Sequence, residues 1–241
     1  MSELYWRDCR IYHGGYDLTG KHNQVALALR PDIKDRTTFL SGGAKQKRAG
    51  LVEATMSGGG FWDAADLDPA LYDGLGVDDG VLTLCPLAGA VADPSYFMKG
   101  VDSEFAPAGK IGDLVAFNFA ALSQSRAVKG VIMDTGAKTT SAAGTARQVG
   151  AALAGQKLYA ALHVFSVSGT GAPSLTVTID SHDANTWDGS ETERLAFSAM
   201  LAPGALWREL AGPITDTWYR VSWTITGTNP SFLFCVSIGI L

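Results

Sequence analysis

Apolar and polar positions alternate with a period of two along most of this chain, which is the signature of half-buried strands. Val25, Leu27 and Leu29 alternate with Ala26, Ala28 and Arg30, and Pro31 is expected to end that strand because proline cannot donate to a ladder. A second strand is expected at about 51–62, LVEATMSGGGFW. The stretch between them, DRTTFLSGGAKQKRAG (35–50), is longer than a turn requires, so the pair reads as a hairpin with an extended loop. Loops of that length tend to be functional.

Further strands are expected at 80–85, 96–106, 112–122 and 126–134, each bounded by Gly, Pro or Asp. The one helix signal is DLDPALYDGLG, with Asp68 as N-cap, Pro69 in the first turn and Gly74 or Gly76 at the end. Residues 135–147, TGAKTTSAAGTAR, are small and polar and read as a boundary loop between domains 1–140 and 148–241.

The second part reads as all β: Leu158–Val167, Leu175–Ile179, Leu195–Ala199, Trp218–Thr226 and Phe232–Ile238. In TWYRVSWTIT, Tyr219, Val221, Trp223 and Ile225 share a face. After GTNPS, read as a turn, Phe232, Phe234, Val236 and Ile238 share another. One apolar face per strand is the mark of antiparallel packing. The expected fold class is mainly β: a barrel or sandwich with one short helix, followed by a C-terminal β-sandwich.

Composition agrees with this. The 241 residues are 46% hydrophobic and only 18% charged, with 28 glycines, the balance of short strands and tight turns and the opposite of disorder. The net charge of −5 argues against a general nucleic-acid binder. Residues 1–145 hold 14 of 19 cations and 17 of 24 acids, so the second part is unusually uncharged and offers surface for a partner.

Three widely spaced cysteines, Cys9, Cys85 and Cys235, form no disulfide framework or zinc pattern and suit a reducing compartment. The opening MSELYWRDCR carries charges where a leader would be apolar, and no apolar run approaches the length of a membrane helix. Cytoplasmic synthesis without a membrane is the expectation.

The chemical motifs fail one by one. Lys45 follows Gly42 and Gly43 too closely for a phosphate loop, and no Ser or Thr follows it. Lys45, Lys47 and Arg48 lack the interleaved aromatics of a nucleic-acid clamp, which leaves a solvated loop or a protein contact. Asp63, Asp66, Asp68, Asp73, Asp78 and Asp79 form an acidic run, but Ala70 breaks the ligand series and no Glu closes it, so capping and turns account for them.

His13, His22, His163 and His182 form no close pair, and His163 reads as a satisfied core or interface histidine. MSGGG misses the nucleophile elbow at Thr55, and GLGVDDG misses the dinucleotide spacing. Asp216 reads as a turn former. No catalytic, cofactor or metal site is expected. Trp187, in SHDANTWDGS, could stack on a sugar ring, although loop or interface packing is the commoner use of such a residue.

The order VALALRPDIKDRTTF, then AKQKRAGLVEATMSGGGFWDAADLDPALYDGLG, resembles the major tail tube protein family of long-tailed bacteriophages with non-contractile tails. The matching elements are the D-x-T-T-F of Asp35 to Phe39, Ala49 to Leu51, the aromatic–Trp–Asp turn Phe61 to Asp63, and the short helix Pro69 to Gly76. Arg36 stands where that family more often has a small apolar residue. AVKGVIMDTG resembles the strand closing the tube domain, and the segments from AGQKLYAALHVFSVSG onward resemble the C-terminal half of some tail proteins.

The resemblance implies a tail-tube β-barrel domain at 1–140 whose copies form six-fold rings stacked into a tube. DNA would pass through the lumen without being bound. Partners would be further copies, the tape measure, the tail terminator and the distal tail protein. The location would be the virion tail, after assembly in the host cytoplasm. On such a tube we expect, as our own hypothesis beyond the resemblance, an interface of Thr37, Thr38, Phe39, Lys45, Lys47 and Arg48 facing Asp66, Asp73, Asp78 and Asp79 of an adjoining copy. The alternative is a host-adhesion protein that binds carbohydrate through Trp187.

Overall fold

A computed structural model describes residues 8–241; the leading MSELYWR, which carries part of the leader argument above, lies outside the described residues. The strands are β1 (Arg10–His13), β2 (Tyr16–Asp17), β3 (His22–Asp35), β4 (Lys47–Phe61), β5 (Gly80–Cys85), β6 (Pro94–Ala108) and β7 (Ala116–Ser123). They continue as β8 (Val128–Lys138), β9 (Ala142–Ala143), β10 (Arg147–Gln148), β11 (Lys157–His182), β12 (Thr192–Ala196), β13 (Gly204–Ala211) and β14 (Trp218–Ile240). The protein is mainly β, with 62% of residues in strands against 4% in helices.

All the strands belong to one antiparallel sheet whose central path is β12–β11–β14–β8–β6–β5–β1–β2. β7 joins β6 to β4, and β3 is the outer partner of β4.

The expected hairpin is present but its strands are longer. β3 continues past Pro31 to Asp35, which pairs with Lys47, so the connecting loop shrinks to 36–46. Proline survives here for two reasons. β3 is an edge strand with β4 as its partner, and the register shifts between Pro31 and Ile33, a bulge that relieves the missing donor. At the next hairpin the turn occupies 110–113, so β7 begins at Ala116 rather than 112.

The short helix differs in its cap. The Asp63 carboxylate, not that of Asp68, accepts the first free amides, from Ala65 at 2.8 Å and Asp66 at 3.3 Å. Asp68 instead accepts from the Trp62 indole at 2.9 Å, and Asp68–Tyr72 forms one wide turn closed by Asp73 N–H to the Asp68 carbonyl. The turn buries Ala70 and Leu71 in a core that includes Met56, Leu82, Phe117 and Phe119.

The largest departure lies in the second part. Leu158–Val167 and Leu175–Ile179 are pieces of one 26-residue strand, β11. Trp218–Thr226 and Phe232–Ile238 are pieces of one 23-residue strand, β14, and GTNPS makes no hairpin. β11 and β14 pair from Leu158↔Ile240 to His182↔Trp218, with irregularities between Val164 and Ser174. GTNPS does not reverse the chain because β11 runs beside it and continues the ladder.

That ribbon bends instead. Gly169 (φ 125°) and Gly227 (φ 115°) carry positive dihedrals on the two strands, and a Cβ on either would lie 2.9 Å from a proline Cα of the other strand. The two halves then enclose one core: Leu158, Leu162, Leu175, Val177, Tyr219, Val221, Phe232 and Phe234 are all fully buried in one cluster. Trp223 meets Phe234 edge to face, with ring centroids 5.8 Å apart.

Residues 135–147, expected as a loop, are largely paired. β8 runs to Lys138, while β9 and β10 lie against β14. The Trp223 indole donates to the Thr140 carbonyl at 2.9 Å, and Lys138 lies 4.7 Å over its ring. Where the two cores meet, Tyr12, Cys85, Ile132 and Cys235 form a third buried cluster.

Candidate self-assembly surface

Among the described residues, the far half of the β3–β4 hairpin has no third strand. β7 pairs with β4 over Thr55–Phe61, leaving the rest of β4 with β3 alone. Every residue from Leu29 to Leu51 is exposed except Ser41. A two-stranded ribbon is at best marginally stable alone in water, and this arm carries Leu29, Ile33, Phe39, Leu40 and Leu51 in the open. Phe39 and Leu40, at the tip, are essentially fully exposed, at 110% and 97%.

Local hydrogen bonds shape the tip. Thr37 N–H donates to the Asp35 carboxylate at 2.8 Å, Gln46 N–H to the Thr37 hydroxyl at 3.0 Å, and Thr38 N–H to the Ser41 hydroxyl at 2.8 Å. Thr37 and Thr38 therefore build the loop, and Phe39 is what the loop displays. Lys47 pairs with Asp35 at 2.8 Å, and together with the Thr37 contacts this holds the Asp35 carboxyl down at about 2. Among the described residues, Lys45 and Arg48 make no ion pair within the chain.

The acidic partners predicted for these cations lie elsewhere. β4 spans 15 residues, roughly 45 Å at about 3.3 Å per residue, and the acids follow its far end. Asp66 is 3.3 Å from Lys21, which also holds Asp63 at 2.6 Å. Asp79 pairs with Lys99 at 2.5 Å, and Asp78 accepts from the Gln124 side chain at 2.7 Å. Asp73 is exposed. Arm and acids thus do not meet within one chain.

Beside those acids is an apolar groove of about 440 Å³, lined by Trp62, Asp68, Tyr72, Phe105, Pro107 and Val115. Tyr72 and Phe105 meet edge to face at 6.3 Å, and Tyr72 remains 64% exposed. Ile111 and Leu114 stand exposed on the neighbouring β6–β7 turn.

No protein-family model matches this chain, and no curated protein matches it. Among solved structures, a chain in the virion of a native gene transfer agent particle aligns over 52% of this chain and 97% of its own, at 16% identity and a TM-score of 0.41. A chain in the tail of an empty gene transfer agent particle, refined with C6 symmetry, gives the same coverage and identity with a TM-score of 0.42. The SPP1 Dit protein of a phage adsorption hub aligns over 97% of this chain and 99% of its own, at 12% identity and 0.37. These neighbours come from a virion, a tail and an adsorption hub.

Trp187 is half-buried rather than free. Arg220 lies 4.2 Å over its ring, and its indole donates to the Asn185 side chain at 3.1 Å. Asp216 is more than a turn former: its carboxylate accepts from the Ser181 hydroxyl at 2.6 Å and from Arg194 at 2.9 Å.

Sequence reasoning missed Leu40, Leu51, Trp62 and Tyr72 as surface residues, because a period-two pattern says which residues share a face and not whether anything covers it. The signal for Phe39 and Leu40 was present: two large apolar residues beside two glycines in a loop too polar to bury them.

Proposed function

We propose that this protein is a structural subunit of a bacteriophage tail tube, assembling with copies of itself into six-membered rings that stack around a lumen through which DNA passes. The observation that carries this reading is the unpartnered β3–β4 arm, exposed from Leu29 to Leu51 with large apolar residues at its tip. A monomer gains nothing from such an arm, whereas a building block needs connections that reach a neighbouring copy.

Charge supports the same reading. Arg30 to Arg48 holds six cations against two acids, net +4, whereas Asp63 to Asp79 holds six acids and no Lys or Arg. One copy's arm therefore complements the next copy's opposite end, with Lys45 and Arg48 free to pair with exposed acids such as Asp73. The net charge of −5 suits a conduit, since cations lining a lumen would hold phosphates.

The organisation proposed is a tube-forming domain at about 1–140 and a β-sandwich domain at 148–241. The virion tail is the proposed location, following assembly in the host cytoplasm, with the tape measure, tail terminator and distal tail proteins as partners. Negative-stain electron microscopy of the concentrated protein tests the reading. Hollow tubes of stacked rings are expected, and persistent monomers both alone and with the tail's initiating complex would overturn it.

A further inference from the structure

The cations of the arm explain attraction between copies but not why the tip ends in Phe39 and Leu40. Both side chains are bare and adjacent, and a contiguous exposed apolar patch marks an interaction surface. At the other end of the same hairpin lies an apolar recess with a matching deficit: Trp62, Tyr72, Phe105, Pro107 and Val115 surround an open volume of about 440 Å³. The recess is preformed, with the Trp62 indole fixed to Asp68 at 2.9 Å and the Tyr72 ring braced against Phe105.

We infer that Phe39 and Leu40 of one copy seat in the Trp62–Tyr72–Phe105–Val115 recess of the next. Three observations select a second copy as the occupant. The tip cannot fill its own recess, because the 15 residues of β4 separate them by roughly 45 Å. Asp68 lines the recess and the exposed Asp73 directly follows Tyr72, while the tip is flanked by Arg36, Lys45 and Arg48, so charge brings the same two surfaces together. The two surfaces are also different patches of one molecule, so every copy both donates a tip and offers a recess. Repeated head to tail, such a contact closes rings or extends columns, whereas two copies exchanging tips would stop at a dimer.

The inference rests on the proposed self-assembly only in taking the chain to bind itself; the apolar seat is a separate claim. The cations steer and the acids orient, while the apolar tip supplies the hold, because burying a phenylalanine is worth more than a screened surface ion pair.

The test places the photo-crosslinking residue p-benzoylphenylalanine at position 39 of the full chain, with peptide mapping of the intermolecular product. The expected product joins position 39 to a peptide containing Trp62 to Tyr72 or Phe105 to Val115 of another copy. A product elsewhere, or none at the highest soluble concentration, overturns the inference.

A complementation experiment gives the second measurement. Phe39→Ser with Leu40→Ser removes the tip, and Tyr72→Glu spoils the recess; both sites are exposed, so the monomer keeps its fold. Each variant alone should need at least about a tenfold higher concentration to assemble. Mixed, they should form a one-to-one complex that grows no further, since one intact tip meets one intact recess. Assembly of the tip variant at the wild-type concentration overturns the seat.

The two readings fail separately. Crosslinking in the recess within solid fibres sinks the tube and keeps the seat, whereas hollow tubes crosslinked elsewhere do the reverse.

Discussion

His163 on β11 and Thr83 on β5 join the two halves of the protein through a buried hydrogen bond of 2.8 Å between Nε2 and the hydroxyl. The other ring nitrogen, Nδ1, is 2.8 Å from the carbonyl of Gly14, which can only accept. Nδ1 therefore carries the proton, and Nε2 accepts from Thr83. The imidazole is neutral and satisfied on both sides, as the apolar context of its strand led one to expect. A charged ring would lose its hydration without gaining a carboxylate.

Stability should therefore fall on mild acidification. Burial holds the His163 pKa down at about 4, against about 6.5 for a free histidine. The unfolded chain takes up a proton between those values that the folded chain refuses. Stability is thus full above about pH 6.5 and declines as pH falls toward 4, by about 3 kcal/mol in all. His22 is shifted the same way by burial, so the decisive measurement is a difference. Urea unfolding across pH 4.5 to 7 should show a shallower slope for His163→Gln than for the wild type, and equal slopes would refute the assignment.

The bend of the β11–β14 ribbon should be intolerant of side chains. Gly227→Ala forces a positive φ on alanine and drives its Cβ to 2.9 Å from the Pro173 Cα. A loss of more than about 1 kcal/mol is expected. Gly20→Ala, where a Cβ would meet open space at negative φ, is the control and should be close to neutral. Chemical denaturation of the two variants compares them directly.

Trp223 should hold the 138–144 segment in place. Trp223→Ala removes the contact with Phe234, the bond to the Thr140 carbonyl and the face under Lys138. A loss of about 3–5 kcal/mol is expected. Limited proteolysis should then open the segment between Lys138 and Arg147 first, and unchanged cleavage there would count against the docking role.

Reversing the charge at the tip should block assembly without unfolding the monomer. Lys45→Glu, Lys47→Glu and Arg48→Glu together place three acids where the neighbouring copy is expected to present its own. The variant should melt near the wild-type temperature and remain monomeric in sedimentation velocity at concentrations where the wild type assembles. Normal tubes from this variant would mean that the arm's charge is unimportant.

The alternation of Val25, Leu27 and Leu29, and of Tyr219, Val221 and Trp223, was enough to establish strands and a mainly β chain, because a shared face leaves a period-two record in the residues themselves; the second face is buried, whereas the first runs out to the exposed Leu29. The loop at 35–50 was visible for the same reason: it breaks the pattern with glycines and cations. The failure of each catalytic motif was likewise a matter of residue type and spacing.

Tertiary structure decided the rest. Whether GTNPS turns or continues depended on β11 lying beside it, and whether Pro31 ends a strand depended on β3 being an edge. Asp63 rather than Asp68 became the cap because Trp62 claimed Asp68. The distance between the basic arm and the acidic run, and the recess beside the latter, exist only once β4 is laid out straight between them. Pairing partners and empty space belong to the arrangement of the whole chain in three dimensions, and no local pattern records them.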